Sequence, residues 1–222
     1  MARLKRILKR WPGVLVLIGF FLVYSVAEVP MILLAFIKHP TVIVQVVITL
    51  VGILALAGAA WWMWRSYQKQ PPIKRYFTAP TRSILFMVVM ILIVAVGQAI
   101  PTPTSTNQAM VERLMRVAPV GMTIMTVIGA PICEELIFRG LFFRWLLPTI
   151  SSWQTGAVGV IISALIFGCM HTSLLSIGAI PYLMMGVAFA LTYVAFNDIR
   201  YNMALHMLNN LIATIMFFMM AY

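Results

Sequence analysis

The sequence has very few acidic residues and few charges of either sign. Only 9% of its 222 residues are charged and five are Asp or Glu, whereas 63% are hydrophobic. Soluble domains carry charges on about 25% of their residues. A soluble domain of this length has no means of covering so much apolar surface, so lipid must solvate much of the chain. Cysteine is scarce too, and because Cys133 and Cys169 both lie in apolar runs, we expect no disulfide scaffold.

Seven apolar runs predict an all-α, polytopic membrane helix bundle of about seven transmembrane helices. A membrane helix needs roughly 20 mostly apolar residues. The fourth run exceeds one crossing and is broken by Pro131, residues 101–106 predict a loop, and 107–116 predict a short surface helix. We divide the chain into a two-span region, 1–82, and a core, 83–222. The predicted spans are 13–37, 41–64, 83–100, 117–147, 155–171, 179–196 and 203–221.

Basic residues dominate the charge, and the formal net charge is +11. No stripe of interleaved aromatics accompanies them, so we expect no nucleic-acid partner. Five of them precede the first apolar run and five lie within 65–82, as is typical of the cytoplasmic flanks of membrane spans. We therefore predict a multi-pass protein of the cell membrane, with a cytoplasmic N-terminus and with Tyr222 on the far side.

Two adjacent glutamates, Glu134 and Glu135, interrupt the fourth apolar run. A charge at the bilayer centre costs at least ~2.5–3.5 kcal/mol, so an adjacent pair needs a compensating reason. Glu135 and Arg139 are four residues apart, so they share a helix face and can pair. Glu134 is rotated about 100° away from Glu135 and lacks that partner. We interpret Glu134 as the free acid, which suits it for general base catalysis.

Two of the three histidines also lie in apolar runs. His171 follows Phe167 by four residues in the fifth run, and His206 precedes Asn210 by four residues in the seventh. Polar side chains of this kind also join membrane helices without any catalytic role. A carboxylate pair and two histidines on three helices nevertheless form the constellation that a buried catalytic site needs. Glu28, in the first run, is interpreted as a residue near the membrane interface.

These residues together resemble the three motifs of the CPBP intramembrane protease family. That family includes the CAAX prenyl endoprotease and bacterial relatives often called Abi or bacteriocin-immunity proteins. The resemblance would cover roughly 80–222, and it implies an endopeptidase that hydrolyses a membrane-associated peptide or lipidated protein in the bilayer. The motifs are Glu134-Glu135-x-x-x-Arg139, Phe167-x-x-x-His171 and His206-x-x-x-Asn210.

The resemblance also implies a role for each matching residue. Glu134 would activate water as the general base, and His171 would hold or polarise that water. His206 and Asn210 would form an oxyanion hole for the tetrahedral intermediate. No cofactor is implied. The supporting residues would be Glu135, Arg139 and Phe167.

Three alternatives stay open. In a zinc-dependent version of the same protease, Glu134, His171 and His206 would be the ligands. A non-catalytic immunity or scaffold protein would bind a membrane-active peptide, and a small transporter would use the same side chains as a proton relay. Zinc-binding histidines usually come with a closely spaced partner ligand and an orienting carboxylate. We favour the metal-free protease, because the i, i+4 neighbours of the histidines are Asn210, a poor zinc ligand, and Phe167, which cannot ligate, and because the resemblance points the same way.

Other classes of intramembrane protease are excluded by what is missing. The sequence has no His-Glu-x-x-His, no Gly-x-Ser-x-Gly and a single aspartate, Asp198. It therefore lacks the signatures of a site-2-type zinc protease, a serine nucleophile elbow and an aspartate pair.

The positions of the histidines predict an irregular helix. If the fifth and seventh spans were straight and parallel, His171 and His206 would lie roughly 15 Å apart along the bilayer normal. A shared site requires a tilted, broken or re-entrant helix, and the candidate positions are Gly140, Pro148 and Gly156.

The predicted orientation can be tested with a cysteine in the loop 65–82, after Cys133 and Cys169 are replaced by alanine. We expect Lys69→Cys to be protected from a membrane-impermeant maleimide in intact cells and labelled after permeabilisation, because positively charged loops stay in the cytoplasm. Labelling of Lys69→Cys from outside intact cells would show the opposite orientation.

Overall fold

The computed structural model describes residues 11–75 and 83–221, which form eight helices and two short strands. The predicted basic segment before residue 11, and Arg82 in the later loop, lie outside the described residues. The elements are α1 (Trp11–Leu34), α2 (Val42–Gln68), β1 (Lys74–Arg75), α3 (Ser83–Ala99), α4 (Thr106–Val117), α5 (Pro119–Leu146), β2 (Thr149–Ile150), α6 (Trp153–His171), α7 (Ala179–Phe196) and α8 (Ile199–Ala221).

The predicted all-α, polytopic bundle is confirmed. Of the described helices, α1, α2 and α5 to α8 are long and apolar enough to cross a membrane, and α3 is an apolar helix of 17 residues that supplies the shortest of about seven spans. The predicted surface helix is α4, and its first turn is capped by Ser105, whose side chain accepts a hydrogen bond from the backbone N–H of Gln108.

Helix α5 departs from regular α-helical geometry on both sides of the two glutamates. One π-helical turn spans Met125–Gly129 and a second spans Leu136–Leu141. A π-helical turn widens the hydrogen-bonded ring from i→i−4 to i→i−5, which changes the direction of the side chains that follow. The second turn contains Gly140, one of the predicted positions of irregularity, whereas Gly156 lies inside the helix α6.

Arg144, near the end of α5, joins three helices. Its Nε donates to the Tyr193 hydroxyl at 3.1 Å, and its Nη1 donates to the carbonyls of Tyr67 and Gln70 at 2.9 and 2.8 Å. The guanidinium also lies 3.6 Å from the centroid of the Tyr67 ring. Strands β1 and β2 pair in parallel beside this cluster. Contacts therefore cross the predicted boundary between 1–82 and 83–222, and the division itself stays a prediction.

Helices α6 and α7 approach closely at Gly186. A Cβ atom built on Gly186 would lie 2.8 Å from the Cα of Ala164, a distance that real Cβ atoms essentially never show. Small residues let membrane helices approach to this distance. The close approach also brings the Gly186 carbonyl to within 3.3 Å of the Arg139 Nη2, which donates to it.

We expect Gly186→Ala to destabilise the bundle by about 1–3 kcal/mol, the range for overpacking a well-packed interior. Thermal unfolding of the purified protein in detergent, together with folded yield, measures this. Gly58→Ala is the matched control, because a Cβ at Gly58 would meet nothing within 4 Å. Equal unfolding temperatures for the two variants would show that the close approach is absent.

Candidate active site

A cavity of about 420 Å³ opens between the helices and collects most of the residues singled out from the sequence. The four candidate catalytic side chains and Phe167 all line it. The other two supporting residues, Glu135 and Arg139, are fully buried beside it. The four candidates come from three helices, α5, α6 and α8: Glu134, His171, His206 and Asn210.

The Glu134 carboxylate is the meeting point of the two histidines. Its Oε2 lies 3.7 Å from Nε2 of His171 and 3.9 Å from Nε2 of His206. The separation of roughly 15 Å expected for straight, parallel helices does not occur. Glu134 is 7% exposed, and among the described residues no hydrogen-bond partner is present for Oε2. Both distances exceed a direct hydrogen bond, so neither ring nitrogen satisfies Oε2 directly.

The hydrogen bonds made by the Nδ1 atoms of the two histidines fix which ring nitrogen points toward Glu134. The Nδ1 of His171 is 2.8 Å from the Phe167 carbonyl, and the Nδ1 of His206 is 3.0 Å from Oε1 of Glu135. A carbonyl and a carboxylate accept hydrogen bonds, so each Nδ1 carries the hydrogen that it donates. Both rings therefore present Nε2 to Glu134, and Nε2 holds a lone pair in the neutral ring.

Glu135 and Arg139 form the ion pair that their spacing predicts. Nη1 of Arg139 donates to Oε1 of Glu135 at 3.0 Å, and both side chains are fully buried. The guanidinium carbon lies 4.4 Å from the centroid of the Phe167 ring and 5.3 Å from that of Phe189. Arginine fits this position because its planar group pairs with a carboxylate and stacks on aromatic rings at once.

Asn210 is held in the site by a hydrogen bond to the irregular part of α5. In the first π-helical turn the N–H of Ala130 donates to the carbonyl of Met125, five residues earlier. The same register would pair Pro131 with the carbonyl of Thr126, but proline has no N–H to donate. Nδ2 of Asn210 donates to that carbonyl at 2.9 Å. An amide nitrogen has two hydrogens, so one remains for a group in the cavity.

Two residues of α1 belong to the site although the sequence did not assign them to it. The Tyr24 hydroxyl donates to Oε1 of Glu134 at 2.9 Å, and Glu28, which also lines the cavity, lies within electrostatic reach of Glu134. Glu28 is therefore a wall residue, in addition to its expected place near the interface. The available signal was their i, i+4 spacing on one helix face, together with the rarity of acids in apolar runs.

A comparison with known families agrees with this geometry. Residues 116–212 match the model of the family described as type II CAAX prenyl endopeptidase Rce1-like. The chain carries an Rce1-like domain. The resemblance to the CPBP family is thereby confirmed, and such a domain implies a protease in the membrane. No curated protein and no solved structure matches the chain.

The Rce1-like domain is shorter than the expected 80–222 and contains all three motifs. It begins at Arg116, so α1, α2 and α3 lie outside it. Tyr24 and Glu28 therefore reach the cavity of the Rce1-like domain from a part of the chain that the family match does not cover. The region 1–82 contributes directly to the wall of the candidate site.

The zinc alternative needs one correction. Glu135 holds Nδ1 of His206, so the orienting carboxylate that metal-binding histidines usually have is present for this ring. Within residues 11–75 and 83–221, no group of three His, Cys, Asp or Glu side chains is arranged to hold a metal ion. Metal analysis of active protein tests whether Glu134, His171 and His206 bind zinc.

We expect Arg139→Ala to lower both folded yield and activity. It leaves the Glu135 carboxylate buried without its cation, and breaking a buried pair in this way costs about 3–5 kcal/mol. Arg139→Lys should restore only part of the stability, because one ammonium lacks the fork that reaches both Glu135 and the Gly186 carbonyl. Thermal unfolding and folded yield in detergent measure both effects.

The control for Arg139 is Arg200→Ala, which removes an exposed ion pair with Asp198. Exposed pairs contribute little to stability, so this variant should unfold close to the wild-type temperature. An Arg139→Ala protein as stable and active as the control would show that the buried pair does not support the site.

Proposed function

We propose that this protein is a glutamate-dependent intramembrane endopeptidase that hydrolyses a peptide bond in a membrane-associated peptide or lipidated protein. The observation that carries the proposal is Oε2 of Glu134, which has no hydrogen-bond partner among the described residues. It lies 3.7 and 3.9 Å from Nε2 of His171 and of His206, and all three residues belong to the Rce1-like domain. This arrangement holds a general base, a water-binding nitrogen and an oxyanion donor around one point in space.

Glu134 activates the water. A water between Oε2 of Glu134 and Nε2 of His171 donates one hydrogen bond to each atom, because both are acceptors. The Tyr24 hydroxyl occupies Oε1 and so keeps Oε2 directed at the histidines. As the water oxygen attacks the substrate carbonyl carbon, its proton moves to Oε2, and burial keeps bulk water from competing for that carboxylate.

His206 and Asn210 stabilise the oxyanion that this attack creates. Donation from Nε2 of His206 requires a ring protonated on both nitrogens, and the Glu135 carboxylate on Nδ1 is the counter-charge for that ring. Asn210 donates the amide hydrogen that it does not give to the Thr126 carbonyl. Preorganised donors of this kind supply a large part of the stabilisation of a tetrahedral intermediate.

Glu134 then returns its proton to complete the reaction. The tetrahedral intermediate collapses, the carbon–nitrogen bond breaks, and the leaving nitrogen takes the proton from Oε2. The products are a new carboxyl terminus and a new amine terminus. Glu134 is again unprotonated and ready for the next water, so the cycle balances with water as the only co-substrate.

We expect Glu134→Gln to reduce cleavage by at least roughly 10²–10⁴-fold, the usual contribution of a general base. The amide still accepts from the Tyr24 hydroxyl and keeps the side-chain volume, so the fold should persist. Asn210→Ala should slow cleavage by roughly 10²–10³-fold, the range for losing one oxyanion donor. The measurement is cleavage of a library of membrane-anchored, internally quenched peptides by purified protein, guided by comparative peptidomics of cells with wild type and Glu134→Gln.

The matched control is Glu112→Gln, which removes an acid from α4. Glu112 accepts from Gln108 at 3.0 Å and does not line the cavity, so this variant should cleave at the wild-type rate. Full cleavage by a correctly folded Glu134→Gln protein would rule out the proposed base. Stoichiometric zinc in active protein, with activity lost on chelation and restored by zinc, would establish the zinc-dependent version instead.

A further inference from the structure

Even with the His206 ring protonated, the acidic side chains on the cavity wall outnumber the cationic ones. Among the described residues that line it, Glu28 and Glu134 are the acids, His171 and His206 are the only bases, and no lysine or arginine is present. A cavity with low-dielectric walls concentrates the field of the charges that line it. The wall charges of the described chain therefore favour a positively charged group in the cavity over a negatively charged one.

The nearest arginines do not offset this field. Arg139 is fully buried, paired with Glu135 and enclosed by aromatic rings, so its charge is already matched. Arg113 and Arg116 of α4 lie over aromatic rings at 5.8 and 5.1 Å and are not among the lining residues. Among the described residues, no lysine or arginine is placed to receive a substrate carboxylate inside the cavity.

Glu28 is the second acid on the wall, and it can accept from a substrate cation. The Tyr24 hydroxyl donates to Glu134 and also lies within hydrogen-bonding reach of Glu28. A carboxylate has about four acceptor positions, so Glu28 keeps capacity for a further donor. Glu28 is half-buried on the wall, and Glu134, 7% exposed with Oε2 unpaired, lies within electrostatic reach. Two carboxylates in one poorly solvated cavity repel each other, and a cation bound beside them relieves that repulsion.

The rest of the polar wall is neutral and suits a peptide backbone. Side-chain amides and hydroxyls face the cavity from α3, α4, α8 and the segment that precedes α4. Such groups donate to and accept from backbone carbonyls and amides without selecting a charge. The acidic side chain of Glu28 is therefore the element of this wall that discriminates between charged substrates.

We propose that Glu28 is a specificity-determining residue that selects peptides with a lysine or arginine side chain near the scissile bond, and that the cavity disfavours a free carboxylate there. The inference rests on the proposed function, because it names the substrate class of that same site. The preference is also measurable as binding, which does not depend on cleavage.

The test uses membrane-anchored, quenched peptides that differ only in one side chain. At each position around the cleaved bond, a peptide with lysine is compared with the same peptide carrying glutamine. Each peptide is made in two forms, one with a C-terminal carboxylate and one with a C-terminal amide. Cleavage is measured with the full-length protein in lipid nanodiscs. Binding is measured on an Asn210→Ala background, which slows cleavage and keeps every charge of the cavity.

We expect the best lysine peptide to bind roughly tenfold more tightly than its glutamine counterpart, as one charge-assisted contact would give. The ratio of the affinity for the lysine peptide to that for the glutamine peptide should fall to near one in Glu28→Gln. It should recover in part in Glu28→Asp, which keeps the charge. Glu112→Gln, the matched loss of an acid outside the cavity, should keep the wild-type ratio. Amide-terminated peptides should bind better than those with a carboxylate in the cavity.

The outcomes separate this inference from the proposed function. A lysine-to-glutamine ratio near one in the wild type, or a ratio that persists in Glu28→Gln, overturns the inference even if the peptides are cleaved. A Glu28-dependent preference in binding without cleavage of any peptide supports the inference and contradicts the proposed function.

Discussion

The buried pair of Glu135 and Arg139 is the interaction on which the rest of the site depends. Neither charge is stable alone at this depth, and each pairs with the other and with groups from neighbouring helices. Glu135 accepts from Arg139 and from His206, so it ties α5 to α8. Arg139 lies against the ring of Phe167 and donates to the carbonyl of Gly186, which ties α5 to α6 and α7. One ion pair therefore links all three sequence motifs.

This arrangement gives two adjacent glutamate side chains different surroundings and different roles. Glu135 is neutralised by a cation and committed to two hydrogen bonds, so it serves as a fixed support. Glu134, one residue earlier, points to another face of the helix. There it accepts from a phenol and lies near two imidazoles and the carboxylate of Glu28. The difference of about 100° between consecutive helix positions is enough to place one carboxylate in the core and the other in the cavity.

The sequence predicted the motifs and the pairing but not how the helices bring them together. An i, i+4 spacing is a local property of one helix, so the pair of Glu135 and Arg139 could be inferred from the spacing alone. The meeting of His171 and His206 at Glu134 depends on tertiary packing and on the two π-helical turns of α5, which residue spacing in a regular helix does not encode. Tyr24 was missed because a tyrosine in an apolar run is compatible with ordinary packing.

Pro131 shows how an apparent defect in a helix becomes part of the site. A proline inside a membrane helix leaves a carbonyl without its backbone donor, and neighbouring side chains must satisfy that carbonyl. Here the freed carbonyl belongs to Thr126, and the donor is Asn210 of α8. The proline thus creates an acceptor that fixes the orientation of a side chain one turn beyond His206, and the broken helix positions the third motif against the first.

The parts of the chain outside the Rce1-like match complete the cavity. Helix α1 supplies the donor that orients Glu134 and a second acid on the wall, Glu28. The α1–α2 unit is held to the core at one end by Arg144, whose guanidinium binds the last turns of α2 and the side chain of Tyr193. Because rigid attachment of α1 is needed to keep a hydroxyl within 2.9 Å of Glu134, these distant contacts and the orientation of the candidate base are parts of one packing arrangement.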